Sequence, residues 1–484
     1  MHFKTTAILS IFLTIPIFNS CESFLREEPQ GVVELDKLDE SIVESLIVGM
    51  YEPLTRSRGR LWESHWGRAL MLLEECTVSR LSDMTEIANY HFNTVPLLVS
   101  SGWPTIYESI ARANSLLNAL EKNQDQDLDE KIKKGAISEA SFIRAFAYYQ
   151  LVRIYGKVPL RLEPVKNPDD MDLPVSDESE IYEQIISDLL IAEKNLPAQT
   201  DNKGRATQGA AKTILADVYL TLGRYEDARN MAQEIIDNKD EYGYDLISSL
   251  DLLYSPTSAT NNEDIFSLKF SRVVGQGSFL AAYAAPLSHP EVAAARAFEN
   301  FAANSNAPLL RDWDNNDKRK ALNIYNKATV DGELIDIEMA GDYSYIYGKQ
   351  RDPEEPEETA SGVDYYMYRY ADVLLIFAEG ENLINGPTAD AYEAVNKVRR
   401  RAYGVNMNTT DLQVDLPSGL SQEQFDSLLF RERGYEFMFE GKRWYDLKRT
   451  GRWKTVIPAA GKDLPTTLDW PFPTSESLYN DAIE

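Results

Sequence analysis

Cysteine and histidine are nearly missing from this sequence, and that removes several chemistries at once. Two cysteines, Cys21 and Cys76, are spread over 484 residues, so no disulfide framework can organise the fold. Four histidines (His2, His65, His91 and His289) stand singly, and none forms an H-E-x-x-H pair. No metal site or cofactor is expected on that basis. The chain also lacks a G-x-S-x-G elbow. "GQGS" at Gly275–Ser278 is not a P-loop, because no Gly-Lys-Ser/Thr follows it. Positive charge is short as well: 49 Lys and Arg face 77 Asp and Glu, a net charge of −28. An acidic body of this kind disfavours nucleic acid and anionic membrane surfaces, both of which select Lys/Arg clusters. No apolar run beyond the N-terminus reaches the roughly 20 residues of a spanning helix.

What is present begins at that N-terminus. Lys4 precedes "AILSIFLTIPIF", Ala7 to Phe18, an apolar run of export-signal length interrupted by Pro16. Small Ser20 then Cys21 suggest cleavage before a lipid-modified cysteine, whose acyl chains would anchor the protein. The box "FNSC" departs from the usual form, with Phe18 in place of Leu and a bulky Asn19. Ordinary secretion with a chance cysteine is the alternative. Residues 21–36 read as an acidic tether. Cys76, left without a partner, reads as a small buried apolar residue.

Helical periodicity starts near Leu38 and dominates to about residue 240. Ile42, Leu46 and Met50 recur at helix spacing, as do Ile106, Ile110, Ala113, Leu117 and Leu120. A long helix follows and ends at Gly156 and Pro159; the next can be capped by Ser176 or Asp177 and stops before Pro197. "GRATQGAAKTILADVYLTLGRYEDARNMAQEIIDN" reads as a tetratricopeptide-type hairpin, with small Ala216 and Ala228 on facing helices and Gly223 in the turn. A second such hairpin spans "YADVLLIFAEGENLINGPTADAYEAVNKVRRRAYG", with Ala378 small and Gly386–Pro387 turning. Between them, about 240–360, long helical periods vanish. "DIFSLKFS" alternates like a strand; "VVGQGSFLAAYAAPLSHP", "NSNAPLLRDWDNNDKRK" and "GDYSYIYGKQRDPEEPEE" read as long loops, commonly the place for function.

The stretch "FRERGYEFMFEGKRWYDLKRTGRW", 430–453, puts Arg433, Glu436, Glu440, Arg443 and Asp446 on one expected helix. Alternating signs favour a structural role, the charges pairing with each other, as Glu440 with Arg443, or with neighbouring helices. Carboxylates at Glu436/Glu440 or Asp312/Asp314 keep a glycoside hydrolase as the catalytic alternative. The loops carry many aromatics, and a sugar offers an apolar face for stacking plus hydroxyls for Asp, Asn and Arg. "RDWDNN" supplies both within one loop, so Trp313 with Arg311, Asp312 and Asp314 is the leading ligand-binding expectation. Trp66, Tyr90 and Tyr345 are the secondary ones.

Taken in order, several segments resemble the SusD/RagB family. They are Cys21 with "ESFLREEP", "FIRAFAYYQLVRIYGKVPL", the two hairpins, "RERGYEFMFEGKRWYDLKRTGRW" and the closing "WPFPTSES". The resemblance runs from Cys21 to the C-terminus. It implies a mainly α fold, an α-α superhelix of four tetratricopeptide-like pairs with an irregular ligand-binding half. By residue, helical hairpins fall at about 38–240 and 364–453 and the loop-rich region at about 240–360, all within one domain, 37–484. It further implies a non-enzymatic lipoprotein of the outer-membrane surface, with Cys21 as lipid attachment. Such a protein would capture oligosaccharides, or alternatively peptides, for a SusC-type TonB-dependent transporter. The shared motifs belong to the scaffold and carry no ligand contacts with them.

Overall fold

A computed structural model of the chain describes residues 38–55, 66–92, 100, 102–122, 128–257, 261–357 and 360–483. The signal, Cys21 and the tether lie outside the described residues. The described chain is mainly helical, as its periodicity requires. Helices α1 (Glu40–Thr55), α2 (Gly102–Lys122), α3 (Glu130–Tyr155), α4 (Glu178–Asn195), α5 (Gln208–Thr221) and α6 (Tyr225–Asp237) each pack on the one before. Local chemistry starts several of them. The Asp129 carboxylate accepts from the Lys131 and Ile132 amides, and the Thr207 hydroxyl accepts from Ala210. Fully buried Ala210, Ala211, Ala228 and Ala232 line α5 and α6, where small side chains let the helices close on each other.

Helix α7 (Tyr370–Asn385) packs on α6 although a long stretch of chain separates them, and α8 (Ala389–Tyr403) packs on α7. The eight helices therefore make four consecutive pairs. Residues 243–369 are an insertion between the third and fourth pairs, which explains why the two hairpins looked isolated in sequence. The insertion holds short strands. The expected strand is β2 (Asp264–Leu268), paired antiparallel with β6 (Tyr365–Arg369) through a ladder irregular around Met367. Strand β1 (Thr77–Ser79) pairs antiparallel with β3 (Phe301–Ala303), so the insertion is stitched to the N-terminal segment. A hairpin of β4 (Lys327–Val330) and β5 (Glu333–Asp336) turns on Asp331 and Gly332, both at positive φ. No strand was expected there from the sequence.

The C-terminal segment corrects one expectation. Residues 430–453 are not a single helix: α9 (Gln422–Glu436) ends, the chain turns through Phe439 at φ 62° and Gly441 at φ 69°, and α10 (Arg443–Arg449) begins. A Cβ on Gly441 would lie 2.8 Å from the Tyr365 hydroxyl, so a larger residue would also clash there. The break redirects Glu440. It meets Lys349 at 2.8 Å and Arg369 at 3.0 Å, while Arg443 pairs with Glu75 at 2.6 Å; the expected Glu440–Arg443 pair does not form.

These contacts belong to a buried ion network. Arg369 also reaches Glu263 at 2.7 Å and Glu436, and Arg401 binds the same two carboxylates. Arg319 joins Asp317, Glu432 and Glu436 at 2.6, 2.7 and 2.8 Å. Burial on its own would raise the two central carboxyls. Arg369 and Lys349 outweigh it and bring Glu440 down to about 2, and Arg401, Arg369 and Arg319 hold Glu436 well below its ordinary range. Neither group carries a proton near neutral pH, so neither is suited to act as the general acid of a hydrolase.

Candidate functional site

Helix Gly67–Leu72 is a short apolar run with one charge, Arg68. Its position is set at both ends. Trp66 is fully buried before it, so close to Gly102 that a Cβ there would lie 2.1 Å from the indole Nε1. After it, Glu74 accepts the Phe439 amide at 2.6 Å and Glu75 grips Arg443. The Glu74 carboxyl is buried, and that burial raises it to about 8. A carboxyl raised in the folded state favours folding when protonated. Stability should therefore decline as pH rises from the ordinary carboxylate range to about 8. Glu74→Gln is expected to flatten that slope in urea titrations across the same window; an unchanged slope would place its origin elsewhere.

Arg68 projects onto the Tyr283 ring, with its guanidinium carbon 4.2 Å from the centroid. Tyr283 lies in helix Leu280–Ala284 and belongs to an aromatic run. Phe279 stacks on it at 5.9 Å and 21°, and Phe298 sits at 5.6 Å on another side, with Arg296 over that ring at 5.0 Å. The run is anchored from behind: Gly277 backs onto Ala360 with no room for a Cβ, and the Phe298 and Asn300 amides bond to the Ala282 and Tyr283 carbonyls. Exposed Val273, Val274 and Leu287 lie on neighbouring turns of the same insertion.

Arg68 differs from the network arginines. Among the described residues no carboxylate pairs with it, and its buried Nε has no hydrogen-bond partner. Burial lowers its guanidinium from the ordinary range, with the Tyr283 phenol opposing. At Arg319 and Arg369 burial acts in the same direction, but their carboxylates reverse the result. A partly buried cation on an aromatic face with spare donors can bind a ligand that offers both an apolar face and oxygen acceptors.

The residues expected from sequence are not brought together. Trp313 is 3% exposed and stacks on Tyr435 at 4.5 Å and 10°, while its indole N–H donates to Asp317 at 2.9 Å. The ring face offered to sugar is thus already taken, and the indole anchors its loop on α9. Tyr90 is fully buried beside Trp444 and donates to the Leu73 carbonyl; Trp66 packs near Tyr155. Tyr345 is half-buried and pairs through its backbone with Ala303. Arg311 and Asp312 are exposed and pair with each other, and Asp314 accepts from Tyr403. Asp312 lines a surface groove of about 230 Å³ together with Phe430 and Arg431. Sequence reading missed Arg68 and Tyr283.

The profile of the SusD family matches residues 285–476, and a second profile, described as "Starch-binding associating with outer membrane", matches 23–220. The chain belongs to the SusD family. Within it, SusD-like protein P2 of Formosa agariphila is 28% identical, with 95% of each chain covered. A SusD-like protein of Bacteroides ovatus is 27% identical over 92% of this chain and 82% of its own. Among solved structures, a SusD homolog from Bacteroides thetaiotaomicron superposes with TM-score 0.78 at 24% identity, covering 95% of this chain and 99% of that one. A laminarin-binding SusD-like protein gives 0.76 at 23%, covering 93% and 99%. These SusD-like structures share the four-pair architecture with this chain. Among the described residues no helix is long and apolar enough to cross a membrane, and no cluster of His, Cys, Asp and Glu could hold a metal ion.

Proposed function

We propose that this SusD-family protein captures oligosaccharides at the cell surface on the face built by Arg68 and Tyr283, without chemical turnover. From there it passes them to a SusC-type TonB-dependent transporter in the outer membrane. The observation that carries the reading is the guanidinium of Arg68 on the Tyr283 ring, with no carboxylate paired to it among the described residues. Related names support the ligand class: one similar structure is named for laminarin binding and another was solved with a xylogluco-oligosaccharide. The test is calorimetry against laminarin, xyloglucan and starch oligosaccharides. Arg68→Ala should weaken the cognate ligand tenfold or more, on the order of 2 kcal/mol. Because Arg68 holds no ion pair among the described residues, the melting temperature should fall far less than for a network arginine. Unchanged affinity for a ligand that binds the parent would remove this face from the site, and preferential binding of cationic peptides would favour peptide capture.

Retention at the membrane is assigned to a lipid on Cys21, since the acidic body has little affinity for anionic surfaces. Cys21→Ala should yield a folded protein that leaves the membrane fraction. Fractionation identical to the parent would reject the anchor.

A further inference from the structure

The charge balance around Arg68 points to the kind of sugar that this face takes. Every arginine buried among the described residues is paired with a carboxylate. Arg153 has Asp217 at 3.4 Å, Arg400 has Asp415 at 2.6 Å, Arg433 has Asp446 at 2.9 Å and Arg443 has Glu75 at 2.6 Å. Arg319, Arg369 and Arg401 share the acids of the ion network. Arg68 is half-buried and breaks the pattern, with no carboxylate paired to it among the described residues.

Its surroundings do not make up the deficit. The ring beneath it, Tyr283, meets the Phe298 ring, and Phe298 has the exposed Arg296 over it at 5.0 Å. Two guanidiniums are thus gathered on one pair of rings. Glu299, the buried acid next to Phe298, turns its carboxylate to the Leu287 amide at 2.7 Å, and its backbone carbonyl accepts from Arg80 Nε at 3.4 Å. The Arg68 Nε is buried and has no hydrogen-bond partner. Nε and the adjacent Nη form one side of a planar guanidinium, a fork whose two donors fit the two oxygens of a single carboxylate. A buried cationic donor left unpaired costs free energy that an arriving anion restores.

Given capture at Arg68, as proposed above, we infer that the captured oligosaccharide carries a uronic acid, whose carboxylate receives the Arg68 fork while its ring lies beside half-buried Phe298. The net charge of −28 does not oppose this. At physiological ionic strength the screening length is about 8 Å, so a bound carboxylate answers mainly to the charges nearest it. Those are cations on aromatic faces, in a protein whose other buried cations are already neutralised.

Calorimetry with oligomers of galacturonate, of mannuronate and of glucuronate, each beside its carboxyl-reduced neutral form, tests the charge requirement. At least one acidic oligomer should bind saturably, and its reduced form should bind about tenfold more weakly or worse. Arg68→Ala should bring the acidic oligomer down to the level of the reduced one. Arg68→Lys keeps the charge but loses the fork, so it should fall between the parent and Arg68→Ala. Arg68→Gln should match Arg68→Ala and replaces it if the alanine variant folds poorly. Equal binding of acidic and reduced forms, lost in Arg68→Ala, would overturn the uronic-acid assignment and leave capture at Arg68 standing. Acidic binding that Arg68→Ala leaves unchanged would remove both. Failure of every acidic oligomer would overturn the assignment too; neutral laminarin, xyloglucan or starch oligosaccharides binding through Arg68 would then show a face for uncharged glycans. A glutamate-rich peptide that binds through Arg68 where every acidic sugar fails would place the carboxylate on a peptide and overturn the sugar class.

Discussion

Arg369→Met is expected to destabilise the protein by about 3–5 kcal/mol, the usual cost of removing one member of a buried ion pair. The side chain is 0% exposed and holds Glu263, Glu436 and Glu440 together. Methionine fills much of the same space but leaves three carboxylates near one another without their central cation. Urea denaturation measures the effect, and a loss under about 1 kcal/mol would show that the network behaves like surface pairs. Adding Glu440→Gln to Arg369→Met should recover part of the loss, because the two residues are coupled. The same network sets the acid limit. Glu436 and Glu440 titrate below their unfolded values, so their contribution is fully present above the ordinary carboxylate range. It is lost as pH falls, with Glu440 giving way toward about 2.

Trp444→Ala is the second large effect, about 3–5 kcal/mol for an indole removed from a packed core. Trp444 is 0% exposed and lies against Tyr90 and Phe92, each 5.6 Å away. Folded yield and urea midpoint should drop while affinity per folded molecule stays as in the parent. Loss of binding with an unchanged midpoint would instead bring α10 into the oligosaccharide site.

Much of the scaffold was legible because helix periodicity is a local signal. Ala216, Ala228 and Ala378 read as close-packing positions, and all three are buried in helix contacts. The break between α9 and α10 was not legible. Gly441, at positive φ, is the local mark of that break, but the partners that take Glu440, Lys349 and Arg369, are remote, and nothing within 430–453 announces them. Trp313 misled for a related reason. Its polar neighbours suggested a solvent-facing ring, but the surface it packs on, Tyr435, lies far along the chain. Arg68 did leave a trace. It interrupts an apolar run, and no acid stands three or four positions to either side. Tyr283, within "FLAAYAAPL", lay in a stretch read as a long loop, and its cation Arg68 stands more than two hundred residues before it.

The placement of the buried charges also bears on when the protein can fold. Arg319, Lys349, Arg369 and Arg401 all precede the carboxylates of Glu432, Glu436 and Glu440 in the chain. During N-to-C synthesis these cations emerge while much of their neutralising charge is still unmade, and enclosing them at that stage carries the cost of uncompensated ions. The insertion must therefore stay open until the closing segment arrives. A chain released before Glu432 would be left with arginines seeking water and its strands unsealed, a substrate for proteolysis.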